Sequence, residues 1–205
     1  MIYIIRHGQT AANSAGLMQG SGSDAPLNDT GIEQSRAAAE FFKSRGISFD
    51  KLYSSPLIRA VQTAKIAAGL DMDAEVKIGL DWRIREMDYG KYESISLKEL
   101  PPEVKFFFSD FVHNKAPETM ENLSDIVART GEFLEDIRPG YDGKENILIA
   151  THAIALKGFL EYLMPESKGS WWSRYIGNCA VFQFDIIDGK YTEPKEIFSF
   201  PREKK

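Results

Sequence analysis

Four short apolar runs punctuate the chain: "IYII" at 2–5, "FDKLYS" at 49–54, "NILIAT" at 146–151 and "AVFQFDI" at 180–186. Their length and their content of β-branched and aromatic residues predict buried strands. Stretches with helical spacing separate them. "TGIEQSRAAAEFFKSRG" has a capping-box pair in Thr30 and Glu33, an alanine-rich interior and Gly46 as a stop. Ser55 and Pro56 predict the start of a helix over "PLIRAVQTAKIAAGL", with Leu57, Val61, Ala64 and Ala68 on one face and Arg59 in or just past the first turn. Ser124 is the expected cap of "DIVARTGEFLEDI", whose stripe of Ile126, Phe133, Leu134 and Ile137 ends at Pro139-Gly140. A last helix, "AIALKGFLEYLM", follows His152 and halts at Pro165.

Strands alternating with helices predict an α/β fold with a mainly parallel sheet. The dipeptide Asp188-Gly189 between "FQFDII" and "KYTEPKEIFSF" reads as a hairpin turn, so at least one edge strand is expected to be antiparallel. Residues 91–122 break the rhythm with a proline pair, an aromatic cluster and no clear strand, and read as an insertion over the sheet of one domain spanning 1–205. The basic tail "REKK" is expected to be solvated.

Charge narrows the partners. With 25 Lys plus Arg against 30 Asp plus Glu, the net charge of −5 gives no reason to expect nucleic acid or an acidic membrane, so any bound anion needs a local cluster of cations. Cys179, the single cysteine, has no partner for an internal disulfide. The first apolar run is far shorter than a signal-peptide core, and no stretch approaches the roughly 20 apolar residues of a membrane span. The cytoplasm is the expected compartment.

In open α/β sheets, ligands gather beyond the carboxyl ends of the parallel strands. His7 follows "IYII", His152 follows "ILIAT", and "KLYSSP" delivers Arg59 from the same end of its unit. A histidine at a strand end is commonly a hydrogen-bonded structural residue, and either one alone would carry little weight. Arg6, His7, Arg59 and His152 on one rim, however, form a costly cluster unless an anion or carboxylate balances it.

These segments resemble the histidine phosphatase superfamily, which contains the cofactor-dependent phosphoglycerate mutases and many small phosphatases. "RHGQTAAN" is similar to its opening signature, "SDAPLNDTGIEQS" to its Asp-x-Pro-Leu segment and "YSSPLIRAVQTA" to its arginine motif. "REMDYGKYES" resembles its acid motif and "ATHAIALKG" its second-histidine motif, and all five occur in family order. The resemblance implies a three-layer, phosphoglycerate mutase-like fold with helices on both faces of the sheet. It further implies that His7 accepts a phosphoryl group on a ring nitrogen and that Arg6, Arg59 and His152 donate to the transferring oxygens. Asn13, the backbone near Gln19 and Gly20, and Ala153 would complete the cradle, with Glu86 as general acid and base. The chemistry suits these types: a neutral imidazole is a nucleophile near pH 7, and planar guanidinium forks match phosphoryl oxygens. From spacing alone, Glu86 could equally pair with Arg83 or Arg85.

No metal or other cofactor is implied. His113 has no ligand spacing to the other histidines and reads as a loop residue. Phe106, Phe107, Phe108 and Phe111 read either as packing of an insertion helix or as a wall above the cradle, and Trp171, Trp172 and Tyr175 are open to the same two readings. The chain departs from the family pattern in three places: Ala153 in place of glycine, Tyr92-Glu93-Ser94 where the acid motif often ends Trp-Glu-Gly, and Met120-Glu121-Asn122 where Gly-Glu-Ser is common. The expected activity is hydrolysis of small-molecule phosphate esters, with aryl or weakly polar leaving groups suggested by the apolar insertion. A phosphoglycerate mutase is the first alternative, and a non-catalytic phospho-ligand binding protein the second.

Overall fold

The computed structural model describes residues 1–200, so the "REKK" tail lies outside the described residues. The strands are β1 (Ile2–Arg6), β2 (Lys51–Ser54), β3 (Gly79–Leu80), β4 (Ile147–Thr151), β5 (Val181–Phe184), β6 (Ile186–Ile187), β7 (Lys190–Tyr191) and β8 (Lys195–Phe198). The helices are α1 (Ala11–Ala15), α2 (Asp29–Ser44), α3 (Ile58–Ala67), α4 (Pro102–Ser109), α5 (Leu123–Ile137) and α6 (Ala153–Leu163). None of these helices is long and apolar enough to cross a membrane.

Six strands form one sheet in the order β3-β2-β4-β1-β5-β8, with β3, β2, β4 and β1 mutually parallel, β5 antiparallel to β1 and β8 antiparallel to β5. Successive strand residues face opposite sides of the sheet, which sorts the apolar runs into two cores. Ile2, Ile4, Ile147, Ile149, Phe182 and Phe184 pack with Phe133 and Leu134 of α5 and Leu156, Phe159 and Leu160 of α6. Tyr3, Ile5, Leu148, Ala150 and Val181 pack with Ala38 and Phe42 of α2 and Ala60, Ala64 and Ala67 of α3. The result is a three-layer α/β fold with helices on both faces.

The register aligns the carboxyl ends of these strands. Arg6 lies opposite Thr151, and Ser54 opposite Ala150, so the residues just beyond β1, β2 and β4 emerge on the same rim.

Several helix starts differ from expectation. Asn28, not Thr30, caps α2, its Oδ1 accepting the Gly31 N–H at 2.8 Å. Thr30 falls inside the first turn, so the Thr30–Glu33 capping box does not form. Ser55 does not cap α3: Leu57 is the N-cap residue, and Asp24 Oδ1 accepts the Ile58 N–H at 2.6 Å. Ser124 is within α5, whose N-cap is Asn122. The run 180–186 divides into β5 and β6, and β6 and β7 form a separate two-stranded hairpin. Its turn has Asp188 at φ 51° and Gly189 at φ 73°, the two positive values a type I′ turn requires. The antiparallel edge strand is β8.

Segment 91–122 contains α4 and packs through a third cluster. In it Val104, Phe107 and Met120 meet Met87, Tyr89, Tyr92, Leu123 of α5, Ile154 of α6 and Trp172. Phe107 is fully buried, a contribution of about 1.5–3 kcal/mol, whereas Phe106 is 62% exposed. Packing thus accounts for Phe107, and Phe108 and Phe111 lean on the same cluster. Trp171 belongs to the first core, edge-on to Phe182, while Tyr175 is exposed. His113 is exposed and pairs with Asp110 at 2.8 Å.

Candidate active site

The parallel ladder runs one step past β1, where the His7 N–H donates to the Thr151 carbonyl at 2.9 Å. His152 is the N-cap residue of α6, and the imidazoles of His7 and His152 have centroids 5.1 Å apart. His7 Nδ1 is 2.6 Å from the Gly8 carbonyl oxygen, which accepts only if Nδ1 carries the ring proton. Nε2 then keeps its lone pair. The Gly8 N–H donates to Thr63 Oγ1 at 3.0 Å, so the arginine-bearing helix α3 also fixes the turn behind His7. Gly8 is required because α2 begins directly beneath it: a Cβ there would lie 2.4 Å from the Gly31 carbonyl oxygen.

Both imidazoles are held neutral. Burial pushes the His7 pKa well below 6.5, and the charges of Arg59 and Arg6 push it further. His152 is lowered well below 6.5 first by burial, then by Arg59, His7, Arg129 and Arg6. Burial also lowers the two guanidinium groups, with Glu86 opposing the effect. Arg6 Nη1 donates to the Ile176 carbonyl at 2.5 Å, and Arg59 donates to the carbonyls of Ser23 at 2.6 Å and Gly20 at 3.0 Å. Yet Arg6 Nε, Arg59 Nε and His152 Nδ1 are buried without partners. An unmet buried polar group costs about 1–3 kcal/mol, and here three occur on the residues of one rim.

Glu86 is buried and anchored on the start of α6. Oε1 accepts the N–H groups of Met87 at 2.9 Å, Ile154 at 3.1 Å and Ala155 at 3.2 Å, while Oε2 has one longer contact with the Ile154 N–H at 3.3 Å. Oε1 is saturated, so a proton carried by this carboxyl rides on Oε2. Neither nearby arginine pairs with it: Arg83 binds Asp81 at 2.7 Å and Asp136 at 2.6 Å, and Arg85 faces Glu121 at 4.0 Å. Arg129 of α5 holds the acid loop from behind. It donates to the carbonyls of Arg83 at 2.5 Å, Arg85 at 2.8 Å and Glu86 at 3.4 Å, and pairs with Glu121 at 2.6 Å.

The remaining cradle residues form a connected loop. Asn13 and Thr10 cap α1 reciprocally, and Gln19 Oε1 accepts from Thr10 Oγ1 at 2.6 Å and from Asn13 Nδ2 at 3.5 Å. The Gly20 N–H does not stand open: it donates to Glu93 Oε2 at 2.9 Å, and the Gly22 N–H to Glu93 Oε1 at 3.2 Å. Ala153 is the first residue of α6 and only partly buried. No group of three or more His, Cys, Asp or Glu among the described residues is placed to hold a metal ion.

The model of the histidine phosphatase superfamily (branch 1) matches residues 2–195. The chain belongs to that superfamily. It is 30% identical over 168 residues to the "Broad-specificity phosphatase YOR283W" of Saccharomyces cerevisiae, covering 81% of this chain and 71% of that one. It is 30% identical over 197 residues to the "Probable phosphoglycerate mutase GpmB" of Yersinia pestis, covering 93% and 86%. Among solved structures, a mutant phosphoserine phosphatase from Entamoeba histolytica in complex with phosphoserine superposes with a TM-score of 0.77 at 26% identity, covering 93% of each chain.

Sequence reasoning missed several residues of this histidine phosphatase site. Asn178 Nδ2 ties the His7 carbonyl at 3.0 Å to Asn13 Oδ1 at 3.3 Å. Tyr89 is buried with its hydroxyl pKa raised well above 10, first by burial and then by Glu86 and Glu93, against the opposing charges of Arg6 and Arg59. Its place three residues after Glu86 in "REMDYG" was the available signal. Ser55, read only as a helix cap, has its Oγ 2.8 Å from His152 Nε2.

Proposed function

We propose that the protein is a phosphatase that hydrolyses small phosphomonoesters through a phosphohistidine on His7. The observation that carries this reading is that three of the buried nitrogens without partners belong to Arg6, Arg59 and His152, the residues whose charges or ring bear on a His7 imidazole with Nδ1 already engaged. Donors fixed in place before substrate arrives are what phosphoryl transfer needs, because charge develops on the equatorial oxygens.

In this scheme the Nε2 lone pair of His7 forms a bond to phosphorus as the ester P–O bond breaks. The leaving oxygen takes the proton from Glu86 Oε2. Water then attacks the phosphorus of phospho-His7 and returns a proton to Glu86, the P–N bond breaks, and inorganic phosphate leaves with the imidazole neutral again. The insertion at 91–122 would cover this site within a single domain. Small phosphate esters are the substrate class, in keeping with relatives named as phosphatases and with the phosphoserine bound to one structural neighbour.

A mutase reading follows from the relative named for that activity. The two separate on water: hydrolysis of a generic phosphate ester that proceeds without any bisphosphoglycerate supports the phosphatase, whereas strict dependence on that primer supports the mutase. His7→Ala is expected to abolish turnover and the acid-labile phosphoenzyme while leaving the circular dichroism spectrum unchanged. Undiminished turnover by this variant would overturn the nucleophile assignment.

A further inference from the structure

We propose that Ser55 is a positioning residue that sets the tautomer of His152, donating its hydroxyl proton to Nε2 so that the ring proton stays on Nδ1. Ser55 and His152 are both fully buried, and Ser55 Oγ stands 2.8 Å from His152 Nε2. The Ser55 N–H donates to the Ala150 carbonyl at 3.0 Å, which fixes the serine against the end of β4 two residues before His152.

Counting donors and acceptors decides the direction of the bond. Ser55 Oγ already accepts the Leu57 N–H at 3.3 Å, and His152 Nε2 is the acceptor within reach of its own proton among the described residues. If Nε2 carried the ring proton instead, the serine proton and the Nδ1 lone pair would both be buried without partners. With the proton on Nδ1, one group alone is unmet, and it is a donor. A doubly protonated ring is disfavoured, since burial and the charges of Arg59, Arg129 and Arg6 all act against it.

The consequence rests on the phosphatase reading. Nδ1 is the His152 atom that lacks a partner, as Nε is on Arg6 and Arg59. With Nδ1–H, all three unmet atoms are donors to an anion. With the other tautomer, a lone pair would face the phosphoryl oxygens. Because the same hydroxyl accepts from Leu57, the N-cap residue of α3, the serine also links His152 to the helix that carries Arg59.

The test is nitrogen-15 NMR of the histidine rings in the full chain at neutral pH, with His152 assigned by loss of its signals in His152→Gln. Wild type is expected to show His152 with protonated Nδ1 and unprotonated Nε2. Ser55→Ala should give a mixture of tautomers and bind orthovanadate about 5- to 10-fold more weakly, the loss of one hydrogen bond. Ser55→Thr, which keeps the hydroxyl, should retain the wild-type tautomer. A proton on Nε2 in wild type, or a Ser55→Ala spectrum identical to wild type, would overturn the proposal. If Ser55→Ala does not fold, the wild-type and Ser55→Thr spectra decide. The tautomer is read without turnover, so failure of the phosphohistidine mechanism would appear separately, in the His7→Ala assay.

Discussion

The imidazoles of His7 and His152 lie with centroids 5.1 Å apart, both lowered in pKa first by burial and then by nearby charge, that of Arg59 foremost. Their pKa values in the folded chain fall well below the ordinary 6.5. Above that pH, folded and unfolded chains both carry neutral rings and stability is insensitive to these groups. As pH falls through about 6.5, the unfolded chain takes up protons that the folded chain refuses. Stability is therefore lost on acidification, by up to about 1.4 kcal/mol per histidine per pH unit. Urea unfolding between pH 7.5 and 5 measures this, and a flat profile from 6.5 to 5 would contradict it.

Glu86→Gln keeps an oxygen that can accept the N–H groups of Ile154 and Ala155 but removes the carboxyl proton that the proposed mechanism requires. Turnover of alkyl phosphates, whose leaving oxygens need that proton, should fall by about 10²–10⁴-fold. For p-nitrophenyl phosphate the loss should be much smaller. A plot of log kcat/KM against leaving-group pKa is expected to steepen in the variant. Equal losses across the series would remove Glu86 from the role of general acid.

Arg129 and Glu121 form a pair of which each side chain is about one-tenth exposed, and Arg129 directs its other donors to the carbonyls around Glu86. Arg129→Met should cost about 1.5–3 kcal/mol of stability, because Glu121 loses its partner at 2.6 Å and keeps only Arg85 at 4.0 Å and the Asp88 N–H at 3.1 Å. Displacement of the acid loop should lower kcat by about 10- to 100-fold at temperatures where the variant is folded. Urea unfolding and steady-state kinetics on the same preparations test both halves. The double variant with Glu121→Gln should be less unstable than the sum of the single ones.

Gly31 lies where α2 begins under the His7 turn, and a Cβ there would meet the Gln9 carbonyl oxygen at 2.1 Å. Backbone on both sides leaves little room to adjust, so Gly31→Ala is expected to cost about 3 kcal/mol and to weaken vanadate binding by shifting the turn that carries His7. Gly140→Ala, with nothing within 4 Å of the added atom, is the control that should leave both unchanged.

Much of this architecture was legible along the chain because it depends on neighbours. The apolar runs at 2–5 and 146–151 are continuous since β1 and β4 are buried on both faces, and the residues that follow such strands must emerge on the ligand-binding rim. Gly189 after Asp188 announced its turn by the positive φ it supplies. The helix caps misled for the complementary reason. Thr30 and Ser55 are good caps by type, but Asn28 stands nearer the true start of α2, and Asp24, 34 positions from Ile58, reaches the start of α3.

By itself, then, the sequence placed Arg6, His7, Arg59 and His152 at ends set by hydrophobic periodicity, and its resemblance to the superfamily's acid motif singled out Glu86. Only the tertiary structure decided what each of them touches. Ser55 meets His152 from 97 positions away, Glu93 takes the Gly20 N–H from 73, and Glu86 reaches the start of α6 from 68. Periodicity records which face of an element is buried. Hydrogen-bond partners are chosen by the register and packing that bring distant segments together, and no local pattern encodes that choice.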